Sequence, residues 1–419
     1  MDFEPSARSE QWRKKLQSFF DSEVLPRHRA WLEHTAKREA VPFMGELQQK
    51  ARAAGLWNLG LPELADDEPG TRLSNLEYAP SAEIMGRLFW ASEVFNCQAP
   101  DVPNMIALQN CATPEQKQRW LRPLLEAGTR SAFGMTEPDV ASSDATNIAT
   151  TFRRDGDDYV INGRKWFITG AAHPRCTFLI VMGVTDAGAD RTSRHSCVIV
   201  PMDAPGVRLV RPLRWMGCED HTAPIGELTF DNVRIPRENL LGREGEGFKV
   251  AQVRLGPARI HHCMRSIGLC ELLIELMMVR AAERSAFGRT VIQYDTVQRW
   301  IAEARVELEQ ARLLAYRCAW RLDQSGHQGA SSSTKNWRDV SLLKVAVPAM
   351  LQKIADRAMQ VFGAMGGSDD TPIHQALAWG RLLRIGDGPD EVHLRQIFRM
   401  ETVPAWSIAD SPYLAAHPA

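Results

Sequence analysis

The chain has 419 residues, too many for one ordinary domain and suited to two or three. With 44% hydrophobic and 24% charged residues, a net charge of −1 and a pI near 6.8, it is globular in composition. It lacks the basic surplus of a nucleic-acid binder.

The eight cysteines fall singly and without a C-x-x-C pair, so neither a zinc site nor a disulfide framework is expected, and a reducing compartment is. The N-terminal MDFEPSARSEQWRKKL carries charges where a signal peptide has its apolar core. No stretch reaches the length of a membrane span. The expectation is a soluble, cytoplasmic protein without membrane insertion.

Residues 1–130 read as helical. Trp12, Leu16, Phe19 and Phe20 recur at helical spacing, and Thr113-Pro114-Glu115-Gln116 has the threonine, proline and acid of a helix start. Residues 131–243 read as short strands separated by turn signals: Asp155-Gly156, Asn162-Gly163, and an Asp-Asn pair between Leu228–Phe230 and Val233–Ile235. Such spacing suggests a small barrel or sandwich. Residues 244–419 read as helical again, with long periodic segments at Ile267–Ala281, Thr296–Arg321 and Ser341–Met365. Pro348 is expected to kink the last of these, and Gly326–Lys335 reads as a loop. The fold class is therefore mainly α with a central β-barrel.

Five runs could carry chemistry. Phe133–Asp144 opens the strand region with Met135, Thr136, Ser142 and Ser143 around a turn. Its hydroxyls and free N–H groups suit a flavin edge or a phosphate, although such a turn can equally bond to itself. Gly163–Gly170 places Trp166, Phe167 and Thr169 on a strand that could cover a flat cofactor or simply be buried. Arg284–Arg289 with Gln293 offers a guanidinium fork for pyrophosphate, or an ordinary cationic helix end. Gln360–Gly367 has Gly363 and its neighbours as helix caps or as points of close ligand approach. Arg384–His393 sets Asp387 before a helix begun by Pro389, either as a favourable helix-start carboxylate or as something more.

In this order the five runs resemble the acyl-CoA dehydrogenase family over nearly the whole chain. The family landmarks are T-E-P at Thr136–Pro138, K-W-F-I-T at Lys165–Thr169, R-S-A-F-G at Arg284–Gly288 and Q-V-F-G at Gln360–Gly363, with Ala112–Leu121 as another. The resemblance implies a helical domain (1–130), a middle β-barrel (131–243) and a C-terminal four-helix bundle (244–419), assembled as a homotetramer or homodimer around FAD. It implies that Met135, Thr136 and Ser142 or Ser143 meet the flavin edge or phosphates, and that Phe167 and Thr169 lie against the ring. Arg284, Phe287, Gln293, Gln360 and Gly363 would bind the ADP part of a neighbour's FAD. No metal is implied.

The family's usual catalytic glutamate aligns with Asp387, in Gly386-Asp387-Gly388-Pro389, one methylene shorter. Asp387 would remove the α proton, its N–H would hold the thioester oxygen, and the β hydrogen would leave as hydride to the flavin. A helix N-terminus would lower its pKa and burial would raise it. The alternative base position of some relatives is Ala258 here. Electron-transfer flavoprotein is the implied acceptor.

The inserted residue within Thr136–Asn147, the run Leu255–Arg265 and Asp387–His393 resemble the branch fused in animals to a kinase-like phosphotransferase domain. That branch implies 4-hydroxyacyl-CoA breakdown through a 4-phosphoryloxy intermediate. This sequence shows no such segment, so a separate kinase is expected to act first. Arg259, His261, His262 and Arg265, with Gly388, are the candidate substrate contacts, although several could face the core. Rival readings are an ordinary straight- or branched-chain dehydrogenase, a flavin oxidase resembling nitroalkane oxidases, and an inactive acyl-CoA-binding scaffold.

Overall fold

Thr113 begins a helix for a local reason. Its hydroxyl accepts the Gln116 N–H at 3.2 Å, the Gln116 side chain accepts the Thr113 N–H at 3.1 Å, and Pro114 takes the first helical position. The computed structural model describes residues 5–325 and 334–403, with 405, 408, 411 and 413. The expected loop at Gly326–Lys335 lies largely outside the described residues.

The N-terminal part consists of helices, among them Ala7–Phe19, Asn75–Gly86 and Asp101–Cys111. Leu16 and Phe20 are buried as their spacing predicts. Eight strands follow: β1 (Arg130–Gly134), β2 (Thr151–Asp155), β3 (Asp158–Ile168), β4 (Cys176–Val184), β5 (His195–Pro201), β6 (Val207–Leu213), β7 (Ile225–Pro236) and β8 (Leu240–Leu241).

They form one sheet in the order β6-β7-β3-β2-β4-β5-β8, with β1 parallel to β4. The expected barrel is not closed. A barrel needs every strand bonded on both sides, whereas β6 pairs only with β7 and the two-residue β8 only with β5. The outer strand β6 carries exposed Arg208 and Arg211 and the proline Pro212, residues that blunt an edge.

Asp155-Gly156 does turn β2 into β3. The other two expected turns do not turn. Asn162-Gly163 and Asp231-Asn232 lie inside β3 and β7, opposite one another, where the register shifts between Ile161 and Gly163. The Asn232 N–H donates to Asn162 Oδ1 at 2.9 Å, and a Cβ on Gly163 would lie 2.4 Å from Thr150 Oγ1. The pair is a bulge held by side chains.

The C-terminal part comprises the helices Gly247–Glu283, Asp295–Ser325, Thr334–Phe362, Ile373–Leu383 and Asp390–Arg399. Helical assignment runs unbroken through Pro348. The first of these helices is buried at every position from 254 to 264, so it is covered on all faces. It shares one apolar core with the N-terminal helices, from Leu16 and Tyr78 to Ile260, Ile267 and Leu351. Two glycines permit the approach: a Cβ on Gly86 would lie 1.9 Å from the Arg265 carbonyl oxygen, and one on Gly268 would lie 1.7 Å from that of Glu83. Among the described residues no helix is long and apolar enough to cross a membrane. The eight cysteines are all free.

Candidate active site

Four polar residues fall within the buried stretch of the central helix: Arg254, Arg259, His261 and His262. Buried polar groups are costly unless partnered, so their partners are informative. Arg259 Nε donates to the backbone carbonyl of Asp387 at 2.8 Å, and His262 Nε2 lies 3.6 Å from Asp387 Oδ2. Arg265 reaches His262 Nδ1 at 3.1 Å. Arg254 stacks on the Phe133 ring at 4.5 Å and donates to Asn104 Oδ1 at 2.7 Å. His261 turns the other way, edge-on to Tyr78 at 5.0 Å, and belongs to the core.

Asp387 sits in the loop between the last two helices with φ +56°, a left-handed conformation, and Gly388 follows at +100°. His393 Nε2 also meets the Asp387 carbonyl at 3.3 Å, and its Nδ1 meets Ser341 Oγ at 3.1 Å. Lys344 donates to the carbonyls of Leu383 and Gly388. A Cβ on Gly388 would lie 2.9 Å from His393 Nε2, so that glycine is required by packing. Burial pushes the Asp387 carboxyl up, but His262, Arg254, Lys344 and Arg259 together outweigh burial and hold it below its ordinary value. Burial pulls Arg254 and Arg259 down to about 10, and burial and Arg265 bring His262 down to about 3. The site therefore contains the Asp387 carboxylate, two imidazoles held neutral (His262 and His393) and four buried or half-buried cations, Arg254, Arg259, Arg265 and Lys344.

Next to it lies a flat-faced shelf. The Trp166 N–H donates to the Thr136 carbonyl at 3.0 Å, which joins the second run of the sequence to the first. Phe167 has φ +51° and is 38% exposed, and Thr169 two residues on is exposed. Phe167 packs on Trp215 at 6.4 Å, and the Trp215 indole donates to the Ala378 carbonyl at 2.8 Å. The next residue, Trp379, packs edge-on against His262 at 5.5 Å. The shelf and the carboxylate are thus joined by contiguous contacts.

Glu137 of the T-E-P run takes no part in this surface. Its carboxylate is held by the N–H groups of Ala149 and Thr150 and by buried Lys165 at 2.8 Å. Ser142 Oγ accepts the Glu137 N–H at 2.9 Å, so Ser142 closes the loop and Ser143 remains exposed.

Three family models match in order: the acyl-CoA dehydrogenase N-terminal domain over residues 6–127, the middle domain over 132–233 and the C-terminal domain over 245–401. The chain belongs to the acyl-CoA dehydrogenase family. It is 47% identical to the acyl-CoA dehydrogenase homologue FadE2 of Mycobacterium tuberculosis, over 96% of this chain and 97% of that one. It is 45% identical to mouse acyl-CoA dehydrogenase family member 10 over 93% of this chain, but that match spans only 36% of the mouse protein. A solved structure of an acyl-CoA dehydrogenase homologue from Mycobacterium abscessus superposes with a TM-score of 0.89 at 47% identity, covering 95% of this chain and 98% of that one. Acyl-CoA dehydrogenases of this family are FAD-dependent oxidoreductases, and the exposed side chains of Phe167 and Thr169, beside Thr136, fit a flat ring.

The remaining motif residues of this acyl-CoA dehydrogenase lie elsewhere. Arg284 caps the end of the central helix, its N–H donating to the Arg280 carbonyl, with its side chain exposed. Phe287 is 99% exposed at the tip of a two-stranded hairpin. Gln293 caps the next turn through the Thr290 N–H at 3.1 Å. Arg280 lies over the Phe362 ring at 5.4 Å, which brings exposed Gln360 and Gly363 to the same end of the bundle. None of these residues contacts Asp387. Sequence reasoning missed Arg254, Asn104, Lys344 and His393; only Arg254 left a trace, on the helix face of Ala258, His262 and Arg265.

Proposed function

We propose that Asp387 removes the α proton of an acyl-CoA thioester whose chain carries a 4-phosphoryloxy group, or the 4-hydroxy group from which it derives. The observation that carries this reading is the excess of cations around the base: Arg254, Arg259 and Lys344 act on Asp387, while the further carboxylates near them, Asp101 and Asp390, are paired with Arg130 and Arg384. Surplus cations in a water-poor site are unfavourable until an anion arrives. His262 and Arg265 are engaged with each other, and Lys344 with two carbonyls. Arg254 and the unpartnered Nη1 of Arg259 are therefore the donors left for a substituent.

The Asp387 N–H has no acceptor among the described residues, which leaves it for the thioester oxygen as enolate charge develops. Bound FAD supplies the hydride acceptor for the β hydrogen. Met135, Thr136, Ser143, Phe167 and Thr169 are assigned to the flavin. Arg284, Phe287, Gln293, Gln360 and Gly363 are assigned to the ADP part of a second subunit's FAD. Arg284 lies 25 residues beyond Arg259 on one helix, about 37 Å at 1.5 Å per residue, too far to serve the same FAD. The reading includes a homotetramer or homodimer, with residues 1–130, 131–243 and 244–419 as its domains and an electron-transfer flavoprotein as acceptor.

The test is anaerobic titration of the FAD-loaded protein with 4-phosphoryloxyacyl- and unsubstituted acyl-CoA of equal length, following flavin absorbance. The phosphorylated thioester should bleach the flavin at lower concentration, and Arg254→Met should erase that preference. Equal titration curves in wild type would refute the substituent.

A further inference from the structure

Arg265 and His262 form a small device aimed at the base. An arginine has only donors, so the Arg265 Nη2 contact at 3.1 Å requires His262 Nδ1 to accept. A neutral imidazole has one proton, and that proton must then sit on Nε2. Nε2 is the atom that faces Asp387 Oδ2 at 3.6 Å. Arg265 is held in turn by the Cys97 carbonyl at 3.2 Å, and the imidazole is packed edge-on against Trp379.

We propose that His262, fixed in its Nε2–H tautomer by Arg265, is a positioning residue that orients the Asp387 carboxylate towards the α proton. The proposal rests on the base role given to Asp387 above. It accounts for a need particular to this chain. The aspartate is one methylene shorter than the glutamate usual at this position, and its backbone is turned to φ +56°, so its carboxylate needs a second reference point. The 3.6 Å gap exceeds a hydrogen bond, but closing it takes about 0.5 Å, the kind of tightening catalytic contacts undergo when substrate binds.

The donor does not switch with pH. The groups facing His262 are Arg265 and Arg254 on its own helix, Lys344 from the Thr334–Phe362 helix, and Asp387 from the loop before the last helix. Three of the four are cations, and a second proton on Nδ1 would point at the Arg265 guanidinium. With burial, they hold His262 neutral down to about 3. Asp387 itself faces His262, Arg254, Lys344 and Arg259, with His393 at its carbonyl. Because His262 is neutral, what its removal takes from this carboxyl is the Nε2–H donor rather than a charge.

The experiment isolates proton removal from redox chemistry: loss of α-deuterium from phenylacetyl-CoA, which has no β hydrogen, on the FAD-loaded protein as a function of pH. His262→Leu should slow the exchange at least about tenfold and move its acid limb up by about one pH unit, a 1.4 kcal/mol change. His262→Gln, with an amide nitrogen near the Nε2 position, should restore both. Arg265→Met keeps the ring but frees the tautomer, and should shift the limb part of the way even if the leucine variant folds poorly. FAD content and melting temperature are measured alongside.

A slower leucine variant with an unmoved acid limb, or a glutamine variant as defective as leucine, would overturn the proposal and leave His262 a packing residue. A loss seen only with a 4-phosphoryloxy substrate would overturn it in favour of substrate binding. No exchange in wild type would instead overturn the role of Asp387, and this proposal with it.

Discussion

Arg259 Nε donates a 2.8 Å hydrogen bond to the backbone carbonyl of Asp387 and so fixes the loop that carries the carboxylate. A left-handed backbone costs a non-glycine residue roughly 1–2 kcal/mol, and this bond with that from His393 offsets the cost. Arg259→Met should let the loop relax. A displacement of about 1 Å costs on the order of 100-fold in rate, so flavin reduction should slow by about that factor with FAD content unchanged. Stopped-flow reduction checks this, and an unaltered rate would show that the loop holds itself.

The Glu137–Lys165 pair makes a prediction about stability rather than turnover. Both side chains are buried, and breaking such a pair from one side costs about 3–5 kcal/mol. Lys165→Met should therefore lower the melting temperature sharply and disorder the Thr136 loop.

The same pair gives a pH dependence. Burial raises the Glu137 carboxyl, but Lys165, Thr150 and Ala149 together outweigh it and leave the folded pKa below its ordinary 4.5. The unfolded chain therefore binds more protons near that pH. The Glu137 contribution is complete above about 4.5 and is lost as pH falls through the folded pKa, while on the alkaline side the pair ends as Lys165, pulled down to about 8 by burial, gives up its proton. Melting curves of wild type and Glu137→Gln should converge as the solution is acidified below that value. A constant gap would place the effect elsewhere.

Gly268→Ala should be among the most damaging single-methyl changes in the chain. The new Cβ would meet the Glu83 carbonyl oxygen at 1.7 Å, and backbone has no rotamer with which to yield. Overpacking of this kind costs about 3 kcal/mol or more, read as a lowered urea midpoint.

Phe167→Ala tests the shelf. Loss of an aromatic contact worth about 0.5–1.5 kcal/mol should weaken FAD binding up to about tenfold, measured by recovery of flavin fluorescence on dilution. Unchanged retention would remove Phe167 from the flavin face.

What the sequence made legible was local or carried by motif order. The Thr113 cap involves residues three apart, and the three zones follow from periodicity alone. Asn162-Gly163 and Asp231-Asn232 misled because each is a turn signal in isolation. Their meaning comes from facing each other across β3 and β7, 70 residues apart in the chain. Barrel closure was misread because it depends on whether β6 and β8 meet, which no single strand declares. At the site, Asp387 was legible from its motif. Arg254 was not, because its partner Asn104 lies 150 residues away. His261 and His262 looked equivalent in the sequence, yet a rotation of about 100° sends one to Tyr78 and the other to Asp387.

The most direct test of the central claim is anaerobic mixing of acyl-CoA with FAD-loaded wild type and Asp387→Asn, following flavin absorbance. The wild type should bleach, and the asparagine variant, with equal FAD content and melting temperature, should stay yellow. Bleaching of Asp387→Asn at a comparable rate would show that another group removes the proton.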